Sequence, residues 1–446
     1  MSSTRDGTLA VTAFLVWALF VGLVYLPDVG RGFLKDDFRW VADAREAASR
    51  PLSAFTNNAA GTFYRPVVML SFIAEHGRHQ LEPRGYGLTN LLLYAACALA
   101  ATALFRLLGL KLGAAALGAF AWAMNPEGIN MALLWISGRT SLLMTLSSLA
   151  AVIAFLIGTR TASMLLLACA LFSKEDALGV PVVMFAAKWL TRHVSRREAL
   201  LDTVAVAAVL TVYFALRTRS GALTPTTAPA FYQLSLDPLV LLVNMLHYLE
   251  RSGAPAAVLS LIGLALYRAR PGFGVMHRRL LVLALVWFAA GIAIAVGIPV
   301  RSSLYIVFPS IAGALTCSLV FDALQSTSAS QRGSRAMQVA LVAMLLLVPV
   351  YRARDLRWTA AADVSRQVTE ALTVDGPALP DHGVVVFEDS AARFANFADA
   401  LGGAATEAVR LYSGRQLTGR ILPPGEEAPQ PDEVARYRLK EGRVVR

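Results

Sequence analysis

Apolar and polar positions in this chain alternate in blocks of tens of residues, not with the short periods of a soluble helix or strand. Apolar stretches long enough to cross a bilayer, about 20 residues for roughly 30 Å of hydrocarbon, recur from Val11 to Tyr351. The pattern predicts spans over Thr8 to Leu26, Gly85 to Leu108 and Gly113 to Met124, and one that follows Gly138-Arg139 and ends near Arg160. Asn125-Pro126 closes the third, because proline disfavours helix at the residue before it. The stretch Thr161 to Leu190 is interrupted by Ser173-Lys174-Glu175-Asp176. Three adjacent charges are costly at mid-bilayer, so two short helices with the tetrad at the outer face are expected there. Further spans are predicted over Leu201 to Leu216, Ala254 to Tyr267, Leu280 to Ile298, Leu304 to Phe321 and Met337 to Tyr351. The fold class is an all-α polytopic membrane protein with about 11 transmembrane or half-spanning helices.

Orientation follows from the basic loops. Arg106, Lys111, Lys188, Arg192, Arg196, Arg197, Arg268, Arg270, Arg278, Arg279, Arg332 and Arg335 lie in segments that the count puts on one side, as the positive-inside bias requires. This reading puts the N-terminus in the cytoplasm, keeps the first span as an anchor and sends the C-terminal tail outside; a bacterial inner membrane is the expected location. The net charge of +11 is thereby read as topology, not as a nucleic-acid surface. A composition of 56% hydrophobic and 16% charged residues excludes a soluble domain of 446 residues. Cys97, Cys169 and Cys317 each sit within an apolar run without ligand spacing, as buried thiols do.

The predicted membrane domain covers residues 1–351, with a first outer loop at 27–84 and an extracytoplasmic domain at 352–446. For the latter, strands are expected at Val384 to Phe387, near Val409 to Tyr412 and over Tyr437 to Val445, with a helix near Ala391 to Leu401. Leu422-Pro423-Pro424-Gly425 reads as a loop.

The first outer loop carries an adjacent acid pair, Asp36-Asp37, ahead of a helix expected at Asp43 to Ala48. Two neighbouring carboxylates repel, and a low-dielectric setting raises the proton affinity of at least one, which suits a base. A helix cap or a solvated loop pair accounts for the same residues. Val67 to Ile73 is too short to span and suggests an interfacial helix broken by Glu75-His76-Gly77-Arg78-His79. His76 and His79 have the spacing of a metal pair but lack further ligands in sequence, so no metal site is assigned. Arg139, Lys174 and Arg301 all map to the outer face, where each alone reads as a snorkelling cation and together they suit phosphate. No phosphate loop, dinucleotide fingerprint, zincin motif or nucleophile elbow occurs.

These segments resemble the GT-C superfamily of polyprenyl-phosphate-sugar-dependent glycosyltransferases. The similarity is greatest to the transmembrane O-mannosyltransferases with tetratricopeptide repeats, and more distant to the protein O-mannosyltransferases and the lipid A aminoarabinose transferases. It rests on Asp36-Asp37, Tyr64-Arg65-Pro66-Val67, Gly85 to Leu93, Asn125-Pro126-Glu127, Trp135-Ile136-Ser137-Gly138-Arg139, Ser173-Lys174-Glu175 and Arg301 through Tyr305 to Ser310. The resemblance implies an inverting transfer of a sugar from a polyprenyl phosphate to a hydroxyl of a protein, lipid or glycan. Asp37 or Asp36 is then the base, with Asp37 slightly preferred. Substrate contacts are expected from Arg65, Glu127, Trp135, Arg139, Lys174, Glu175, Arg301 and Tyr305, and no metal is required. The chain departs from the pattern at Asn125, where His is usual, at Gly87, where His is common, and at Thr140-Ser141, where an acid is frequent; no repeat array follows. Two other classes use similar parts: a lipid-linked saccharide transporter, which predicts related halves and ionisable groups at mid-depth, and a non-catalytic envelope scaffold, in which the acid pair is incidental.

Overall fold

A computed structural model describes residues 2–56, 63–222, 232–268, 270–326, 330–426 and 430–446. In chain order the helices are α1 (Ser2–Val24), α2 (Asp36–Ala47), α3 (Pro66–His79), α4 (Pro83–Leu107), α5 (Leu112–Ala123), α6 (Gly128–Leu134), α7 (Arg139–Ile157), α8 (Arg160–Leu171), α9 (Val180–Thr191) and α10 (Arg196–Arg219). They continue as α11 (Pro238–Tyr267), α12 (Val275–Ile292), α13 (Ser310–Gln325), α14 (Ser330–Ala343) and α15 (Val348–Asp375). The C-terminal part adds β1 (Val384–Glu388), α16 (Phe397–Leu401), α17 (Ala405–Ser413), β2 (Thr418–Leu422), β3 (Glu433–Lys440) and β4 (Arg443–Val445). Among the described residues, 7 helical segments are long and apolar enough to cross a membrane, and Leu112–Ala123, Arg160–Leu171 and Ser310–Gln325 are shorter apolar helices. The protein is a multi-pass α-helical membrane protein.

Several predicted boundaries move. The span expected from Ala254 begins at Pro238, because α11 runs through Pro255 without ending. Asn244, His247, Glu250 and Arg251, which lie outside every predicted span, are on this 30-residue helix. The last predicted span does not stop at Tyr351: helix resumes at Val348 and continues to Asp375. Leu304 to Phe321 is split, with a 3-10 turn at Ser303–Ile306 before α13. The predicted strand at Val409 to Tyr412 is instead part of α17, whose buried Ala405, Ala408, Val409 and Leu411 have helical spacing. The helix expected from Ala391 is confined to Phe397–Leu401, and the strand expected over Tyr437 to Val445 is the hairpin β3–β4. The helix expected over Val67 to Ile73 does not break at Glu75-His76 but runs from Pro66 to His79 as α3. The acid pair lies inside α2, in its first turn, and not in a loop ahead of a helix.

The described chain divides into two compact units. The first comprises residues 1–24, 92–131 and 139–349. In it α13 packs against α5, α11 and α12, and α7 against α8. Between α12 and α13 the backbone leaves regular helix, and side chains satisfy the carbonyls this exposes. Trp122 Nε1 donates to Val307 O at 2.8 Å, Trp287 Nε1 to Phe308 O at 3.2 Å, and Asn244 Nδ2 to Val296 O and Ile298 O, each at 2.9 Å.

The second unit comprises residues 25–91, 132–138 and 350–446. Leu34, Ala361 and Ala362 form one core cluster, with Trp135 and Trp358 packed against it. The two indoles stack at 6.0 Å with planes 10° apart, and Trp40 of α2 stacks on Phe72 of α3 at 5.5 Å. The sheet order is β2-β1-β3-β4. Strand β1 is parallel to both β2 and β3, and β4 returns antiparallel to β3.

Candidate active site

The acid pair is built at the start of α2. Lys35, the residue before it, has φ 49° and ψ −120°, a conformation that costs a non-glycine residue free energy and so has to be held by its surroundings. Its amide donates to Ala400 O at 2.9 Å. The two aspartates then point into different environments. Asp37 is wholly buried. Its Oδ2 accepts from Leu34 N at 2.8 Å, and its Oδ1 accepts from Ser137 N at 2.7 Å and from the Ser137 hydroxyl. Burial pushes its carboxyl up to about 7 against the lowering effect of these three donors, and the Asp36 charge raises it further. Asp36 is only partly buried. Burial raises its proton affinity too, opposed by Arg39, Arg65 and Lys35 and reinforced by Glu407. The pair is thus neither a solvated loop feature nor a simple cap. Asp37 is fully engaged by donors in the core, and Asp36 is the more exposed of the two.

The other predicted residues of this unit have definite partners. Trp135 donates from Nε1 to Leu34 O at 3.1 Å, which ties its segment to the acid-bearing turn. The Arg65 guanidinium lies 4.2 Å over the Phe63 ring and is 9% exposed. His76 Nδ1 lies 3.3 Å from Gln80 O, and the His79 ring packs on Tyr86. Among the described residues no group of three or more His, Cys, Asp and Glu side chains gathers as a metal site. Gly87 stands where a larger residue would collide: a Cβ there would lie 2.4 Å from Gly30 N. The close approach of two backbones accounts for the missing histidine.

The first unit gathers a second polar cluster around the irregular segment that carries Arg301 to Tyr305. Asn244, Tyr248 and Arg251 lie along one face of α11 at helical spacing. Arg301 Nε donates to Asn244 Oδ1 at 2.8 Å, and the Arg301 side chain is exposed. Arg251 Nη1 donates to Ser303 Oγ at 3.0 Å and pairs with Glu127 Oε2 at 3.5 Å. Asn125 positions this pair from both ends: its Oδ1 accepts from Glu127 N, and its Nδ2 donates to Arg251 O, both at 3.0 Å.

Lys174 belongs to the same unit but has a different role. It is 2% exposed, pairs with Asp176 Oδ2 at 2.7 Å, donates to Ser141 Oγ at 3.1 Å and lies 4.6 Å over the Tyr305 ring. Its charge is matched inside the protein. The Tyr305 ring in turn meets Tyr248 edge-on at 6.2 Å. Arg139 is fully buried and Glu175 is half-buried beside the Lys174 pair. Glu127, Lys174, Arg301 and Tyr305 are therefore linked through α11 and the 303–306 turn. Asn244, Tyr248 and Arg251 were missed in sequence. Their signal is a polar stripe at 244, 248 and 251, with helical spacing, in a stretch outside the predicted spans.

No protein-family model matches the chain, and no curated protein sequence matches it. Among solved structures, the crystal structure of ArnT from Cupriavidus metallidurans bound to undecaprenyl phosphate aligns over 96% of this chain and 87% of that one, with a TM-score of 0.53 at 14% identity. The fold is of the GT-C type.

Proposed function

We propose that the protein is a membrane glycosyltransferase that moves a sugar from a polyprenyl phosphate to an acceptor hydroxyl at the extracytoplasmic face, with inversion. The observation that carries this reading is the division of labour in the acid pair. Asp37 is consumed by three donors, which leaves Asp36 as a part-exposed carboxylate of raised proton affinity. A positioned carboxylate of raised proton affinity can serve as a base, and such a group contributes roughly 10²- to 10⁴-fold.

In this reading Asp36 takes the proton of the acceptor hydroxyl as its oxygen attacks the anomeric carbon. The bond from that carbon to the phosphate oxygen breaks, and polyprenyl phosphate leaves with the electron pair. Within the first unit, Arg251 and Arg301 are the cations suited to a phosphate group. Both reach partners through only part of the guanidinium, and arginine forks match phosphate oxygens. The undecaprenyl phosphate bound by ArnT, a protein of the same fold, supports a lipid-linked donor of this chemistry. Lys174 supports the site through Asp176 and Tyr305 without binding the donor directly. Mannose and aminoarabinose are the sugars that the sequence resemblance favours.

The test uses full-length protein in membranes of a strain lacking it, supplied with undecaprenyl-phosphate mannose or undecaprenyl-phosphate aminoarabinose and followed by mass spectrometry of the envelope fraction. Transfer that depends on Asp36 is expected. Unaltered envelope glycans with either donor would remove the assignment.

A further inference from the structure

The acid-bearing turn is held from a distant part of the chain. The amide of Lys35, the strained residue just before Asp36, donates to Ala400 O at 2.9 Å. The Lys35 ammonium lies 3.4 Å from Asp399. One turn into α2, Arg39 pairs with Glu407 at 3.3 Å and also donates to Gly403 O at 3.4 Å. Phe38 packs edge-on against Tyr412 at 6.3 Å. Gly402 has φ +53°, a backbone conformation that glycine adopts without strain, and a Cβ there would lie 3.1 Å from Lys35 Cγ, a tight contact. Five contacts thus converge on Lys35 to Arg39 from a stretch of fewer than twenty residues, and all belong to one compact unit.

Such a set of contacts exceeds what anchoring alone requires. A half-buried ion pair at a protein surface is largely screened by solvent, so Arg39–Glu407 adds little to stability. Its position matters more. The charged groups facing Asp36 are Lys35 just before its helix and Arg39 within it, Asp37 beside it, Arg65 just before α3 and Glu407 on α17. Glu407 is the one that the C-terminal domain contributes. We infer that α16 and α17, through Ala400, Gly402 and Glu407, are a positioning element that sets both the backbone geometry and the working pH of Asp36. This inference rests on the reading of Asp36 as the base.

Removing the Glu407 charge takes away a group that favours protonation of Asp36, so the acidic limb of kcat/KM moves to lower pH. Removing the Arg39 charge does the opposite. A purely structural contact would shift neither limb, or both the same way.

The experiment compares full-length Glu407→Gln, Arg39→Gln, Gly402→Val and Asp36→Asn in the membrane assay with undecaprenyl-phosphate mannose or aminoarabinose, each variant checked for an unchanged thermal midpoint. The expected result is opposite displacement of the acidic limb in the first two. In Gly402→Val, kcat falls about tenfold or more while KM for the lipid donor stays within about twofold, the signature of a misplaced group. Should Asp36→Asn be inactive while the Gln variants leave the limb unmoved or shift it in one direction, the positioning role is wrong and the base assignment stands. Full activity of Asp36→Asn overturns the base assignment, and the inference with it.

Discussion

Asp37 and Ser137 are joined by two hydrogen bonds, one from the Ser137 amide at 2.7 Å and one from its hydroxyl, inside a core that leaves no exposed surface on the aspartate. This link fixes the Trp135-Ile136-Ser137-Gly138 turn against the first turn of α2. It also removes Asp37 from the set of groups a substrate can reach.

Asp37→Asn is expected to damage the fold. Above about pH 7, where the Asp37 carboxyl is ionised, an amide offers one acceptor oxygen where the carboxylate offers two, so its NH₂ meets either the Leu34 or the Ser137 amide, donor against donor. A buried mismatch of this kind costs about 1–3 kcal/mol, read as a lower thermal midpoint in detergent. Ser137→Ala, which keeps both amide bonds, should cost only about 1 kcal/mol.

The same residue gives stability a pH dependence of definite sign. The Asp37 carboxyl is raised from 3.8 to about 7 in the fold, so between those values the folded state holds a proton that the unfolded chain has lost. Its contribution is full below about 4 and declines as pH rises to about 7. Thermal midpoints measured from pH 4 to 7 should therefore fall more steeply in the wild type than in Asp37→Asn. Equal slopes would show that Asp37 is ionised throughout.

The two arginines of the first unit should separate from its lysine. Arg251→Gln and Arg301→Gln each remove a charge-assisted contact to phosphate, which corresponds to about 10- to 100-fold weaker binding of undecaprenyl phosphate with little change in stability. Lys174→Met leaves Asp176 buried without its cation, and breaking such a pair costs about 3–5 kcal/mol. Binding of undecaprenyl phosphate by calorimetry, beside thermal midpoints, distinguishes the two behaviours. Normal affinity in both Gln variants would place the phosphate elsewhere.

The membrane character and most span positions were legible in sequence because continuous apolarity needs no tertiary context. The interruption at Ser173 to Asp176 was legible for the same reason, since charges resist burial in lipid. Helix α11 was not: Asn244 is satisfied by the Val296 and Ile298 carbonyls and Arg251 by the Ser303 hydroxyl and Glu127, tertiary contacts that let residues outside every predicted span form a polar helix face. The acid pair was found as a motif, but its division of labour depends on Ser137, a hundred positions away. The contribution of α17 was invisible because Val409 to Tyr412 looks like a strand until Ala405 and Ala408 complete the helical stripe.

The central claim is that Asp36, and not Asp37, takes the proton. The most direct measurement is single-turnover transfer from undecaprenyl-phosphate mannose or aminoarabinose by purified Asp36→Asn, with its thermal midpoint recorded in parallel. The account predicts a native midpoint, native binding of the lipid donor and a rate reduced by roughly 10²-fold or more. A folded Asp36→Asn that transfers sugar at the wild-type rate would contradict it.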